Sequence, residues 1–287
     1  MNRTATREQI DVRPTSAALG AVVTGIDLRA PSGGDLAAVH GALLEHGVLF
    51  FRDQALTDDE HLALARRFGE PSQFPVAKLL GAEAKPLSFI TDSADSPPDA
   101  DGWHTDITWI EEPPKIAFLQ AIDIPARGGD TMWASLYTAY DALSPEMQRV
   151  CRTLRVEHVI APHIVDVFRA RVGEEFATSV AEAFPPVVHP LVRTHPETGR
   201  DALFVGGAFM CGIEGMHADE SRVLLDWLHQ HIQNPNFHVR WSWAPGDLAI
   251  WDERCTNHRA LSDHFPEARA MRRCTVDGDR PYLTERG

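Results

Sequence analysis

A histidine, an acid two residues later and a second histidine far downstream constrain this chain more than any other feature. The first two stand in Trp103-His104-Thr105-Asp106, and the third closes Trp251-Asp252-Glu253-Arg254-Cys255-Thr256-Asn257-His258. They are the parts of a 2-His-1-carboxylate facial triad, which holds iron(II) on one face and leaves the other positions open for oxygen chemistry. On a strand, residues i and i+2 point to one side, so His104 and Asp106 are expected to share a face while Thr105 turns away. A second strand must then bring His258 to the same point, and the intervening chain is long enough to wrap a barrel.

The His-x-Asp pattern occurs twice. The other copy, His217-Ala218-Asp219, runs into Glu220, Ser221 and an amphipathic stretch, where the acids read as first-turn charges favoured by a helix dipole. The first copy follows the loop Ser96-Pro97-Pro98-Asp99-Ala100-Asp101-Gly102 and is flanked by the strand formers Trp103, Ile107 and Trp109. The motif is short, so on chemistry alone a metal triad stands beside a purely structural reading.

A formal net charge of -14 makes nucleic acid or an anionic membrane surface a poor partner. An anionic substrate stays open, because local arginines override net charge within a cleft. Met1 to Pro14 contains no apolar leader core, and no apolar run approaches the roughly 20 residues that span a bilayer. Cys151, Cys211, Cys255 and Cys274 lack Cys-x-x-Cys spacing, which argues against a zinc knuckle, an iron–sulfur cluster or a disulfide framework. A cytoplasmic protein with reduced thiols is expected, with Cys255 and Cys274 as packing residues.

No repeat or interdomain linker is visible. Gly20 to Ile26 reads as an early strand, Asp35 to His46 as a helix ended by Gly47, and Val48 to Phe51 as a buried strand. Thr57-Asp58-Asp59-Glu60 is a capping box for a helix through Arg67, and Ser144-Pro145-Glu146 opens another. Phe237, Val239, Trp241 and Trp243 alternate with polar residues. Ala244 to Asp247 is a turn, Leu248 to Trp251 the returning strand and Met271 to Val276 a further one. The pattern predicts a mainly β fold with helical cover, a sandwich or jelly roll. Ala161 to Pro186 reads equally as a helical insertion or a lid.

Arg269, Met271 and Arg273 share one face if this stretch is a strand, with the two arginines roughly 13 Å apart at about 3.3 Å per residue. Two inward arginines are expensive to bury unless each meets an anion. Iron(II) enzymes that use 2-oxoglutarate need such a bidentate anchor for the far carboxylate, and a second arginine suits an anionic main substrate. Surface salt bridges with Asp263 and Glu267 are the alternative.

These residues belong to a longer ordered set. It includes Leu19-Gly20-Ala21, Thr24-Gly25-Ile26-Asp27-Leu28, Phe51-Arg52-Asp53-Gln54, Arg66-Arg67-Phe68-Gly69-Glu70 and Gly128-Gly129-Asp130-Thr131. It continues with His189-Pro190-Leu191-Val192-Arg193-Thr194-His195-Pro196, Trp251-Asp252-Glu253-Arg254 and Gly278-Asp279. Across almost its whole length the chain resembles the taurine dioxygenase group of iron(II)/2-oxoglutarate-dependent dioxygenases, with the related alkylsulfatases and aryloxyalkanoate dioxygenases. The resemblance implies one dioxygenase domain over residues 1–287 with a double-stranded β-helix (jelly-roll) core. It implies Fe(II) on His104, Asp106 and His258, with 2-oxoglutarate and O2 as co-substrates. Thr131 and Arg269 look like the clasp for 2-oxoglutarate. Arg273 looks toward the sulfonate, sulfate or carboxylate of a small organic anion, which is hydroxylated next to its leaving group with release of succinate and carbon dioxide. Phe209 matches a pocket aromatic, and Trp251 is expected to pack behind the iron. A homo-oligomer is also implied.

One departure bears on substrate. Taurine-specific members carry a His and a Tyr where this chain has Phe74 and Ala77, and an Asn where it has Ala100. Such a pocket leaves the ammonium of a small zwitterion unpaired, so a longer or more apolar anion is expected. An alkylsulfatase or aryloxyalkanoate dioxygenase is the alternative within the group. A non-catalytic sensor and a zinc hydrolase on the same three ligands are the alternatives outside it; the intact triad argues against the first, and Thr131 with the paired arginines has no task in the second.

Overall fold

The computed structural model describes residues 9–80, 86–98 and 102–285. Val48–Phe51 and Leu248–Asp252 are buried at every position, and Ile116–Asp123 at its first six. Segments hidden on both faces belong in the middle of a covered sheet, and these three lie side by side in a seven-stranded one. Its order is Asp11–Pro14, Ala21–Thr24, Val48–Phe51, Leu248–Asp252, Ile116–Asp123, Arg269–Val276, Ser88–Asp92. Only the Ala21–Thr24/Val48–Phe51 pairing in this sheet is parallel.

A three-stranded sheet, ordered His238–Trp241, Thr131–Ser135, Thr256–Ala260, packs against it. The contact layer is aromatic. Phe50 stacks on Trp241 with ring centres 4.3 Å apart and meets Trp133 edge-on at 5.3 Å, while Trp251 meets Trp133 at 5.6 Å. Trp133 is fully buried, and truncating such an indole to alanine costs about 3–5 kcal/mol. A second three-stranded sheet (Met210–Ile213, Arg155–His158, Val187–Pro190) and a two-stranded pair (Asp201–Leu203, Val192–Thr194) complete the strands of the described residues.

Helices cover the other faces. Gly33–His46 and Asp58–Ala65 both open with capping boxes, Ser32 with Asp35 and Thr57 with Glu60. Leu36, Val39, Leu43 and Leu64 cluster with Leu49, Phe51, Phe118 and Ile250 of the large sheet. The first helix starts ahead of Asp35 because Ser32 supplies its cap, and the second stops at Ala65, short of Arg67. Ser144 caps Pro145–Thr153 as its sequence requires. Glu220 accepts a hydrogen bond from the His217 N–H, so the second His-x-Asp copy is indeed a helix start, that of Ala218–His231. The alternating Phe237–Trp243 stretch forms a shorter strand than its pattern suggests, because Pro235–Phe237 closes into a 3-10 turn. Residues 161–186 contain two helices, Pro162–Val172 and Glu174–Ala183, divided at Gly173. No helix of the described residues is long and apolar enough to cross a membrane.

Candidate metal centre and two arginine sites

His258 lies on the Thr256–Ala260 strand, directly opposite Trp133. His104 joins it through one reciprocal bridge: the His104 N–H donates to His258 O (2.9 Å) and the His258 N–H to His104 O (2.8 Å). The strand expected to carry both His104 and Asp106 is absent. The chain pairs only at His104 and then turns, with Ile107 at φ 51°. Tertiary hydrogen bonds set that turn where local strand propensity does not. Thr105 Oγ1 donates to Thr256 O, and the Thr108 hydroxyl meets His158 Nδ1 at 2.9 Å. His189 Nε2 meets the carbonyls of Thr108 and Ile110 at 2.9 and 3.0 Å.

The turn still delivers Asp106 to the two histidines. One ligand atom from each of His104, Asp106 and His258 lies within 4.8 Å of the others. His104 Nε2 is 3.6 Å and His258 Nε2 3.9 Å from Asp106 Oδ1. His104 Nδ1 lies 2.8 Å from Gly102 O, so its N–H donates there and Nε2 keeps its lone pair for the centre. Burial pulls the His104 pKa down to about 4, with the Gly102 carbonyl opposing and Arg273 adding to the shift. Burial, helped by His104, pulls His258 well below its usual value. Both rings are therefore neutral at pH 7, as metal ligation requires. His258 Nδ1 is buried without a hydrogen-bond partner. Two neutral imidazoles and one carboxylate fit iron(II) or another borderline divalent ion. Trp251 packs behind His258, ring centres 5.0 Å apart.

The Arg269–Val276 strand presents its arginines as alternation dictates. Arg269 Nε donates to Gly129 O (2.9 Å), Nη2 reaches Thr131 Oγ1 at 3.5 Å, and Nη1 lies 3.8 Å from Asp92. Thr131 Oγ1 also accepts from the Trp243 indole at 3.0 Å. Burial pushes the Arg269 pKa down, opposed by Asp92 and Asp130. Gly129, at φ 70°, leaves room for this guanidinium arm: a Cβ there would lie 2.9 Å from Arg269 Cδ. Arg273 ion-pairs with Asp106 Oδ2, and its Nε is buried without a hydrogen-bond acceptor. Arg272 turns to the other face, toward Leu56 O and Asp58. The alternative of surface bridges to Asp263 and Glu267 does not describe either inward arginine; Asp263 pairs with Arg240.

Two cavities flank the triad. One of about 60 Å³ lies at Arg273 and is lined by Phe74, Ile107 and Ser88. The other, about 510 Å³, lies beside His104 and is lined by Trp103, Phe209, Ile164, Leu225 and His229. Phe209 meets His104 edge-on at 6.4 Å. Phe74, 43% exposed, packs edge-on against Trp109, which meets Phe184 at the end of the Glu174–Ala183 helix. Ala77 is half-buried on the 3-10 turn Pro75–Leu80 and lines neither cavity. Ala100 lies outside the described residues. Cys255 and Cys274 are buried packing residues, as expected. The sequence did not single out Asp92, which meets both Arg269 and His264; its only signal is its register opposite Arg269.

The chain is similar along most of its length to several known proteins. An alkylsulfatase of Acinetobacter baylyi is 34% identical over 282 residues, covering 95% of this chain and 86% of that protein. An alpha-ketoglutarate-dependent 2,4-dichlorophenoxyacetate dioxygenase of a Burkholderia species is 35% identical over 271 residues, covering 87% of this chain and 88% of that one. The crystal structure of AAD-2 with Mn(II) and N-oxalylglycine superposes with a TM-score of 0.79 at 29% identity, covering 96% of this chain and 100% of that chain. The model of the family described as "Taurine catabolism dioxygenase TauD, TfdA family" matches residues 11–275, and the chain belongs to that family.

Proposed function

We propose that this protein is an iron(II)- and 2-oxoglutarate-dependent dioxygenase that hydroxylates a small organic anion next to its leaving group. The observation that carries this reading is the convergence of His104, Asp106 and His258 beside two inward arginines of one strand. In this reading the seven-stranded sheet and the sheet packed against it are the walls of a double-stranded β-helix forming one domain. His104, Asp106 and His258 hold the metal. The chemistry that bound iron(II) supplies is oxidation of a substrate C–H bond by dioxygen, coupled to conversion of 2-oxoglutarate to succinate and carbon dioxide.

The protein's own groups do the positioning. Thr131 Oγ1 already accepts from Trp243, so its hydroxyl hydrogen is free to point at the far carboxylate of 2-oxoglutarate, beside the Arg269 guanidinium. Arg273 exchanges Asp106 for the substrate anion and so fixes which carbon faces the oxidant. Phe74, Ile107 and Phe209 offer that substrate apolar surface. An alkyl sulfate, a longer alkylsulfonate or an aryloxyalkanoate therefore suits the site better than taurine. Where the hydroxylated carbon carries such a leaving group, the product collapses to a carbonyl compound and releases sulfate, sulfite or a phenol. The test is succinate formation by iron(II)-loaded protein with taurine, a longer alkylsulfonate, a medium-chain alkyl sulfate and an aryloxyacetate. Stimulation by the longer anions and not by taurine supports the reading. Strong turnover of taurine removes the apolar-substrate part, and stimulation by none of them removes this substrate class.

A further inference from the structure

Glu253 is 1% exposed and meets two neutral donors. Its Oε1 accepts from the Trp251 indole at 2.7 Å, and its Oε2 from the backbone N–H of Asp106 at 3.1 Å. The neighbouring Arg254 is committed elsewhere, to Asp252 through Nε and Nη2 and to Glu197 through Nη1. Glu253 is itself anchored, its N–H donating to Lys115 O at 2.9 Å. A buried carboxyl between two N–H groups is costly where an apolar side chain would pack, so its use lies in what it holds.

Both donors support the candidate metal centre. The Trp251 ring backs His258. Asp106 sits in a turn, where no strand ladder takes up its N–H, and Glu253 accepts that N–H instead. One side chain thus spans the supports of both separately delivered ligands. We propose that Glu253 is a positioning residue: it fixes the Asp106 backbone and, through Trp251, the seat of His258, and so sets the affinity of the centre for its divalent ion. This rests on the triad reading given above. Glutamine has only one acceptor oxygen for the two donors, and aspartate is one methylene too short to span them, so both substitutions test the bridge while keeping a polar group.

The experiment measures Mn(II) affinity of the metal-free parent, Glu253→Gln and Glu253→Asp by calorimetric titration, alongside the thermal midpoint of each metal-free protein. Supporting ligand orientation in this way is worth 10- to 100-fold in metal affinity. The expected result is Mn(II) binding weakened about 10-fold or more in both variants, with metal-free midpoints within a few degrees of the parent. Binding within twofold of the parent overturns the proposal. Failure of both variants to fold without metal also overturns it, by making Glu253 a structural residue. Absence of Mn(II) binding by the parent itself defeats the triad assignment, and this inference with it, a result distinct from either of the others.

Discussion

Arg269 and Arg273 stand on one face of one strand and live in opposite surroundings. Arg269 is held from three sides by Gly129 O, Thr131 Oγ1 and Asp92, and it is 3% exposed. Arg273 has Asp106 for its partner, an unmatched Nε and a small cavity walled by Phe74 and Ile107. In the proposed reading the first is an anchor held in place before its ligand arrives, so little reorganisation accompanies binding. The second is paired with Asp106 of the candidate metal centre, and in the proposed reading an incoming anion takes that place. Under the proposed function, fixed recognition of the co-substrate and adjustable recognition of the main substrate would come from two positions of the same strand.

Arg269→Met breaks the comparison most directly. Loss of a bidentate charged contact of about 3–4 kcal/mol raises the KM for 2-oxoglutarate roughly 10²- to 10³-fold, read in succinate assays at saturating main substrate. Arg273→Met gives the mirror image. Main-substrate KM rises about 10²-fold while the 2-oxoglutarate KM stays within about threefold, because the removed charge is matched on that side alone. Equal effects of either substitution on both constants would erase the distinction between the two sites.

Gly129→Ala sharpens the anchor side. A Cβ 2.9 Å from Arg269 Cδ, at φ 70°, displaces the arm or strains the turn, and about 1–2 kcal/mol of strain corresponds to roughly a 10-fold weaker 2-oxoglutarate KM. Substrate KM measured on the same variant should hold. A last expected effect concerns stability beneath the strand and not ligand affinity. His61 is fully buried beside Gln120, and burial pulls its pKa from 6.5 to about 4. Its folded-state value lies below the unfolded one, so stability is whole above pH 6.5 and falls as the pH drops toward 4, by up to about 3 kcal/mol. Thermal melts at pH 7 and pH 5 should show that slope, and His61→Leu should flatten it.

The sequence was most legible where chemistry and backbone period coincide. Arg269 and Arg273 face inward because a strand alternates, and His258 sits on a strand as drawn. Asp106 reached the same partners by a different route. Its direction comes from a turn tied to His158, His189 and Glu253, all distant in the chain, and no local pattern of Trp103 to Trp109 expresses those ties. Asp92 was hidden for a related reason: it ends a largely exposed edge strand and gains its role only from the register opposite Arg269. Phe74 joined the site through a tertiary contact with Trp109, while Ala77, three residues on, stayed outside both cavities.

The most direct test is anaerobic addition of iron(II) and 2-oxoglutarate to the metal-free protein, followed by visible absorption. Chelation of iron by the keto acid at the triad predicts a charge-transfer band that saturates at one iron per chain, disappears in His104→Ala and demands far more 2-oxoglutarate in Arg269→Met. A parent protein that shows no band, or one unchanged in His104→Ala, would contradict the assignment of His104, Asp106 and His258 as the metal centre.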